Sequence, residues 1–147
     1  MTWLAPASYV SSVVLPAARA GAQAATRLAP RVIAAVPAAL CQDRRAVLAG
    51  LNAAFGMMAR APSYLAMLER EGLEEPAHVA GWTDEPLDAV VAWGDEAALH
   101  SRGLQLLAAG ADEIVFWPFP AGDDPGRSLA ATLAAMQQIS ATEGGLR

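Results

Sequence analysis

The stretch from Val90 to Phe119 constrains the fold more than any other part of the chain. The polar residues 94–96 are typical of a helix start, and Gly110 is typical of a helix stop. Between them, four positions recur at the spacing of one helix face: Leu99, Gly103, Leu106 and Leu107. Arg102 falls mostly off this face. Residues 113–117 then form a nearly continuous apolar run, which is typical of a strand covered on both faces. The stretch predicts an αβ unit whose strand lies in the middle of a parallel sheet.

The N-terminal part of the chain shows the same alternation of strand and helix. Residues 2–5 are a short apolar run and residues 31–36 are a β-branched apolar run, so both are predicted strands. Between them lies a predicted helix, with Ser8 as the N-cap candidate and Pro16 as the position where the helix should bend or split. Because each strand is followed by a helix, we expect these strands and the strand at 113–117 to be parallel.

Helices and a long excursion occupy the middle of the chain. Asp43 is the N-cap candidate of an amphipathic helix, and Asp124 is the N-cap candidate of the last helix. Residues 61–92 depart from the alternation, because a short helix over 63–71 is followed by prolines, glycines and acidic residues. Within this excursion, residues 90–93 have the alternative interpretation of a short strand. The pattern predicts one α/β domain that spans all 147 residues.

The composition argues against several classes of function. A formal net charge of −5, with ten dispersed basic residues that are all Arg, argues against a nucleic-acid surface. No apolar run approaches the roughly 20 residues of a membrane span, and residues 1–5 lack the basic region of a signal peptide. We therefore expect a cytoplasmic protein with no membrane partner. A single Cys41 and two histidines supply too few ligands for a structural metal site, and none is assigned.

Three segments carry a resemblance to a known family. They read TWLAP at residues 2–6, PRVIAAVP at residues 30–37, and GDE at residues 94–96 with AGADEIV at residues 109–115. In this order and spacing they resemble the C-terminal portion of the luciferase-like monooxygenases, particularly the deazaflavin (F420)-dependent oxidoreductases of that superfamily. The similarity spans nearly the whole chain.

The resemblance implies a (β/α)8 TIM barrel, of which this chain holds the C-terminal part, with about three parallel strands and flanking helices. Residues 2–5, 31–36 and 113–117 would correspond to the sixth, seventh and eighth barrel strands. The first five strands supply much of the cofactor pocket in that family, and this chain does not contain them. The resemblance thus leads us to expect a truncated gene, one half of a split gene or a misplaced start codon.

Three parallel strands with helices on their outer faces would leave strand edges and an inner sheet face uncovered. Burial of apolar surface is favourable by about 25 cal/mol per Å², so we expect the chain to associate in solution. The expected partner is either a second copy, giving a homo-oligomer, or a complementing N-terminal barrel half. The resemblance also implies that the protein binds a small-molecule substrate.

Four residues form the candidate cofactor-binding set. Trp117 and Phe119 fall at the carboxyl end of the last strand, on the active face of such barrels, where each ring either stacks against a ligand ring or simply packs. Arg127 and Ser128 lie in the first turn of the last helix, where N–H groups and the helix dipole favour a phosphate. The alternative for Arg127 is an ordinary surface arginine beside two acidic residues. No catalytic residue is assigned.

The resemblance implies an F420- or FMN-dependent oxidoreductase or monooxygenase, which transfers a hydride or activates oxygen at a (deaza)flavin ring. The alternative is a non-catalytic half-barrel that serves as an assembly or interaction module. It is favoured by the missing N-terminal strands and by the absence of a self-contained catalytic constellation. In particular, His78 and His100 have no Ser, Cys or second His at a catalytic spacing. Whether this chain is an enzyme by itself stays open at the level of sequence.

Overall fold

A parallel sheet with one central strand organises the chain. The computed structural model describes residues 1–73 and 81–142. The strands are β1 (Thr2–Trp3), β2 (Ile33–Ala39), β3 (Ala92–Trp93) and β4 (Glu113–Pro118). Every strand pair is parallel, as the alternation of strands and helices predicts. The protein is therefore a mixed α/β fold with a small open parallel sheet and flanking helices.

Strand β2 is paired along both of its edges. On one side, β4 pairs with residues 33–38. On the other side, β1 pairs with residues 34–35, and β3 pairs with residues 38–39. Because a strand has only two edges, β1 and β3 lie end to end along the same edge of β2. Side chains of β2 are buried on both faces of the sheet, so this strand occupies the centre of the fold.

Helices and helical segments connect the strands. In chain order they are α1 (Ala7–Tyr9), a π-helical segment (Val10–Val14), α2 (Leu15–Ala24), α3 (Arg44–Phe55), a 3₁₀ segment (Gly56–Arg60), α4 (Pro62–Arg70), α5 (Leu87–Val90), α6 (Glu96–Ala108) and α7 (Pro125–Thr142). The predicted cap of α3 is confirmed, because Asp43 accepts backbone N–H groups of the first turn. The predicted helix start at residues 94–96 is also confirmed, and Asp95 is its N-cap. Gly110, with φ of 100°, ends α6 as predicted.

Two further expectations for the helical segments agree with the structure. The first helix is divided close to Pro16, since the π-helical segment directly precedes the start of α2. Residues 90–93 contain the short strand β3, which confirms the alternative interpretation of that stretch. The excursion predicted over residues 61–92 lies partly outside the described residues.

The structure corrects four expectations. Ser8 is not an N-cap, because it lies inside α1 and its hydroxyl donates to the Glu71 carboxylate. Strand β4 does not lie in the middle of the sheet; within the described residues it pairs with β2 alone. Arg102 is not on an exposed helix face, since only 8% of it is accessible. Finally, the sheet face that carries Trp3 is not wholly uncovered, because Phe55 of α3 packs against the Trp3 ring, although the neighbouring Trp117 ring stays exposed.

The apolar core is one continuous cluster around β2. It includes Leu4 beyond β1, Val36 in β2, Leu51 in α3, Leu99 in α6 and Phe119 after β4. Side chains from both halves of the chain thus meet at the central strand, as the spacing of apolar residues predicts.

In the described part of the chain, no helix has both the length and the apolar character that crossing a membrane requires.

Candidate functional site

The carboxyl ends of the parallel strands meet at one edge of the sheet, which is where α/β proteins bind ligands. Strand β2 continues into residues 40–42 before α3 begins, and β3 continues through Gly94 into the start of α6. A cavity of about 520 Å³ opens between these two segments and is lined by residues 40–42 and 94–97. The sheet therefore brings two chain segments, distant in sequence, to one cavity at its carboxyl edge.

Carboxylates occupy both helix starts beside this cavity. Asp43 accepts the backbone N–H groups of Arg45 and Ala46 at 2.9 and 3.3 Å, and Asp95 accepts the N–H of Ala98 at 2.9 Å. Each cap fills the position at which a ligand anion would otherwise bind a helix N-terminus. With Glu96 also in the lining, the cavity is acidic and suits an uncharged or cationic group better than a phosphate.

Arg44 stands beside the lining segments and is held by two acidic residues. Its Nε lies 2.6 Å from Asp84 Oδ1, and its Nη1 lies 2.9 Å from both carboxylate oxygens of Asp88. Its guanidinium also lies 5.5 Å from the centre of the Trp93 ring, whose Nε1 donates to Asp88 at 2.9 Å. The hydrogen bonds that the Arg44 guanidinium donates to the Asp84 and Asp88 carboxylates raise the pKa of Arg44. Arg44 is thus fully engaged within the protein and fastens residues 84–93 to the start of α3.

Trp117 and Phe119 belong to a row of four aromatic rings. The Trp117 ring lies 4.8 Å from that of Trp3, with 36° between their planes, and Trp3 lies 5.5 Å from Phe55. Phe55 in turn lies 6.1 Å from Phe119. Phe119 is 1% exposed, whereas Trp117 is 42% exposed. Of the two predicted ring contacts, only Trp117 presents a free ring surface; Phe119 supports the row from inside the core.

Arg127 and Ser128 lie at the start of α7, where hydrogen bonds already hold the turn. The Arg127 N–H donates to Asp124 Oδ1 at 3.0 Å, which is the capping bond predicted for Asp124. Ser128 Oγ accepts the N–H of Ala121 at 3.2 Å and so fixes the loop between β4 and α7. The Arg127 side chain is exposed, and it forms no ion pair with Asp123 or Asp124 among the described residues.

The two halves of the predicted cofactor set stay separate. In the described part of the chain, no hydrogen bond or ring contact joins the pair Trp117 and Phe119 to the pair Arg127 and Ser128. Within residues 1–73 and 81–142, no group of three or more His, Cys, Asp or Glu side chains is placed to hold a metal ion. His78 lies outside the described residues, and His100 is half-buried and makes contacts of its own.

The sequence does not predict the contacts of two residues near the site, Asn52 and Arg102. Asn52, in α3, donates to the Trp82 carbonyl at 2.9 Å and accepts the Trp82 N–H at 2.7 Å. Arg102, in α6, donates to the Ala89 carbonyl, and burial lowers its pKa. These contacts hold residues 82–89, the last part of the excursion, against α3 and α6. No pattern in the sequence specifies where this part of the chain packs.

Comparison of the chain with family models, with curated proteins and with solved structures finds no match.

Proposed function

We propose that the chain is the C-terminal part of a luciferase-like (β/α)8 barrel that works as an F420- or FMN-dependent oxidoreductase. The proposal is supported by three parallel strands in the spatial order β1, β2, β4, each followed in the chain by helices. The observation that carries it is the Trp117 ring, which lies near the carboxyl end of β4 and remains 42% exposed although it packs on Trp3. An exposed indole at the carboxyl edge of a parallel sheet suits the flat ring of a flavin or deazaflavin.

The residues at this edge fit the ring of such a cofactor better than its phosphate. Trp117 would stack against the ring, and Phe119 would keep the strand end in position from inside the core. Arg127 would pair with a phosphate through its exposed side chain, because its backbone N–H is already bonded to Asp124. Ser128 would hold the loop rather than the ligand. When bound, the cofactor supplies hydride transfer or oxygen activation; the substrate would be a small molecule, and the remaining barrel strands would complete the pocket.

Titration of the purified chain with F420 and with FMN tests this proposal. We expect quenching of cofactor fluorescence on binding, and a loss of affinity of about tenfold in Trp117→Ala, because one ring stack contributes about 1.5 kcal/mol. Leu104→Ala is the control, since Leu104 is exposed to a similar extent on α6 and should bind like the unmodified chain. Equal affinity in Trp117→Ala and in Leu104→Ala would refute the stacking role.

A matched pair of arginines tests the phosphate contact in the same assay. Arg127 and Arg45 are both exposed, both lie in the first turn of a helix, and both donate their N–H to a capping Asp. We expect Arg127→Ala to weaken FMN binding relative to riboflavin binding, whereas Arg45→Ala should leave both unchanged. If both variants lower FMN affinity equally, the effect reflects net charge alone.

The second candidate function is a non-catalytic assembly module. It is favoured by β4, which has one partner strand among the described residues and whose carboxyl end is apolar. It predicts a folded chain that binds neither F420 nor FMN at any accessible concentration. Far-UV circular dichroism of the same sample would separate this outcome from simple failure to fold.

A further inference from the structure

Strand β4 presents a row of unpaired backbone groups along its outer edge. The N–H of Phe119 donates to the Ala38 carbonyl at 3.0 Å, so Phe119 directs its backbone groups toward β2. Because successive residues in a strand direct these groups to opposite edges, Val115 and Trp117 also face β2. The N–H groups of Ile114 and Phe116 therefore face outward, and no strand among the described residues accepts them.

We propose that this edge pairs antiparallel with the same edge of a second copy of the chain, about a two-fold axis that passes beside Val115. In this register, Ile114 of each copy lies opposite Phe116 of the other, and the two residues exchange both N–H···O bonds. Four hydrogen bonds result, and they satisfy every outward N–H of β4, because Pro118 has none to donate. The two small sheets would join into one. This pairing takes up the β4 edge that a further barrel strand would occupy, so it goes with the assembly-module function and not with the cofactor-binding barrel.

The side chains of β4 are compatible with pairing to themselves. Glu113 is the strand's single charged residue, and the two-fold axis places it opposite Trp117 of the other copy rather than opposite a second carboxylate. Val115 lies opposite its own counterpart, where two half-buried aliphatic side chains pack well. No like charges meet across the proposed seam.

Sedimentation and hydrogen exchange on the intact chain test the proposal together. We expect a mass twice the 15.2 kDa of one chain at high concentration. On dilution from the dimer to the monomer, the amides of Ile114 and Phe116 should exchange at least about a hundredfold faster, whereas those of Val115 and Trp117 should keep their protection. A monomer at all concentrations overturns the proposal. So does a dimer in which Ile114 and Phe116 exchange at unprotected rates, because it must form elsewhere.

A substitution at the two-fold axis gives an independent test. Val115→Lys should produce a monomer, because it brings two ammonium groups opposite each other, whereas Val115→Thr should remain dimeric. Circular dichroism checks that both variants fold. A folded Val115→Lys dimer contradicts the register. If Val115→Lys does not fold, the exchange rates of Ile114 and Phe116 in the unmodified chain decide the question.

Discussion

Thr26 occupies a backbone position at the end of α2 that normally belongs to glycine. Its φ is 52°, in the left-handed region that β-branched residues rarely adopt. The N–H of Arg27 donates to the Ala22 carbonyl at 2.9 Å and that of Thr26 to the Gln23 carbonyl at 3.0 Å, which together make a Schellman motif. We expect Thr26→Gly to stabilise the chain by about 1 kcal/mol, because it removes strain without removing a contact. Thermal unfolding followed by circular dichroism measures the change.

Gly72 supplies the reverse control for that substitution. It ends α4 with the same pair of hydrogen bonds, at φ of 70°. Apart from its chain neighbours, no described residue has an atom within 4 Å of the position a Cβ would take. Gly72→Ala should therefore lose about 1 kcal/mol through backbone conformation alone. A gain of stability in Gly72→Ala, or a loss in Thr26→Gly, would contradict the motif as the cause.

At the residue scale, the sequence predicts local contacts well and long-range contacts poorly. The sequence predicts Asp43 and Asp124 as caps and residues 94–96 as a helix start, because a cap depends only on the residues that follow it within one turn. Arg102 was placed on the solvent side because helical spacing describes the helix alone. Its burial arises from α5, whose Ala89 carbonyl accepts a hydrogen bond from the Arg102 guanidinium.

At the element scale, Asn52 is the main link between α3 and the chain that returns at Trp82. Its side chain pairs with both backbone groups of Trp82, which is 2% exposed, and Trp82 Nε1 donates to the Phe55 carbonyl at 3.0 Å. Asn52→Ala should cost about 2 to 4 kcal/mol, because it leaves a buried N–H and a buried carbonyl without partners. Denaturant unfolding followed by tryptophan fluorescence measures this loss.

Gln23→Ala is the matched control for the Asn52 substitution. Gln23 also carries an amide on a helix, but its side chain is exposed. Its removal should change stability by no more than about 0.5 kcal/mol. Similar losses in the two variants would mean that the Asn52 contacts contribute little.

The roles of the strands could be predicted only in part. The apolar run at 113–117 was interpreted as a central strand, since apolar residues on both faces are the usual sign of burial. In the structure, that place belongs to β2, and no strand of the described residues pairs with the outer edge of β4. Composition reports how apolar the two faces of a strand are, whereas its place in the sheet depends on which strands pair with it, and the described part of the chain supplies one neighbour for β4.

At the scale of the whole molecule, the alternation of strands and helices predicted the α/β class and the parallel sheet. It also predicted that Trp117 would end a strand at the carboxyl edge. The cavity between residues 40–42 and 94–97 was not predicted, because it depends on β3 pairing beside the end of β2. The ion pairs of Arg44 are not predicted either, because Asp84 and Asp88 lie about 40 residues further along the chain and contact it only through the tertiary fold.

If two copies unfold as one unit, the thermal stability of the chain must depend on its concentration. Each tenfold increase in concentration stabilises a dimer by about 1.4 kcal/mol. Unfolding two chains of 147 residues releases about 2.1 cal/mol/K per residue, so Tm should rise by about 2 °C per tenfold increase. Differential scanning calorimetry over a hundredfold range should therefore detect a rise of about 4 °C. Val115→Lys should unfold at one Tm throughout the range, and a constant Tm in the unmodified chain would exclude coupled unfolding of two copies.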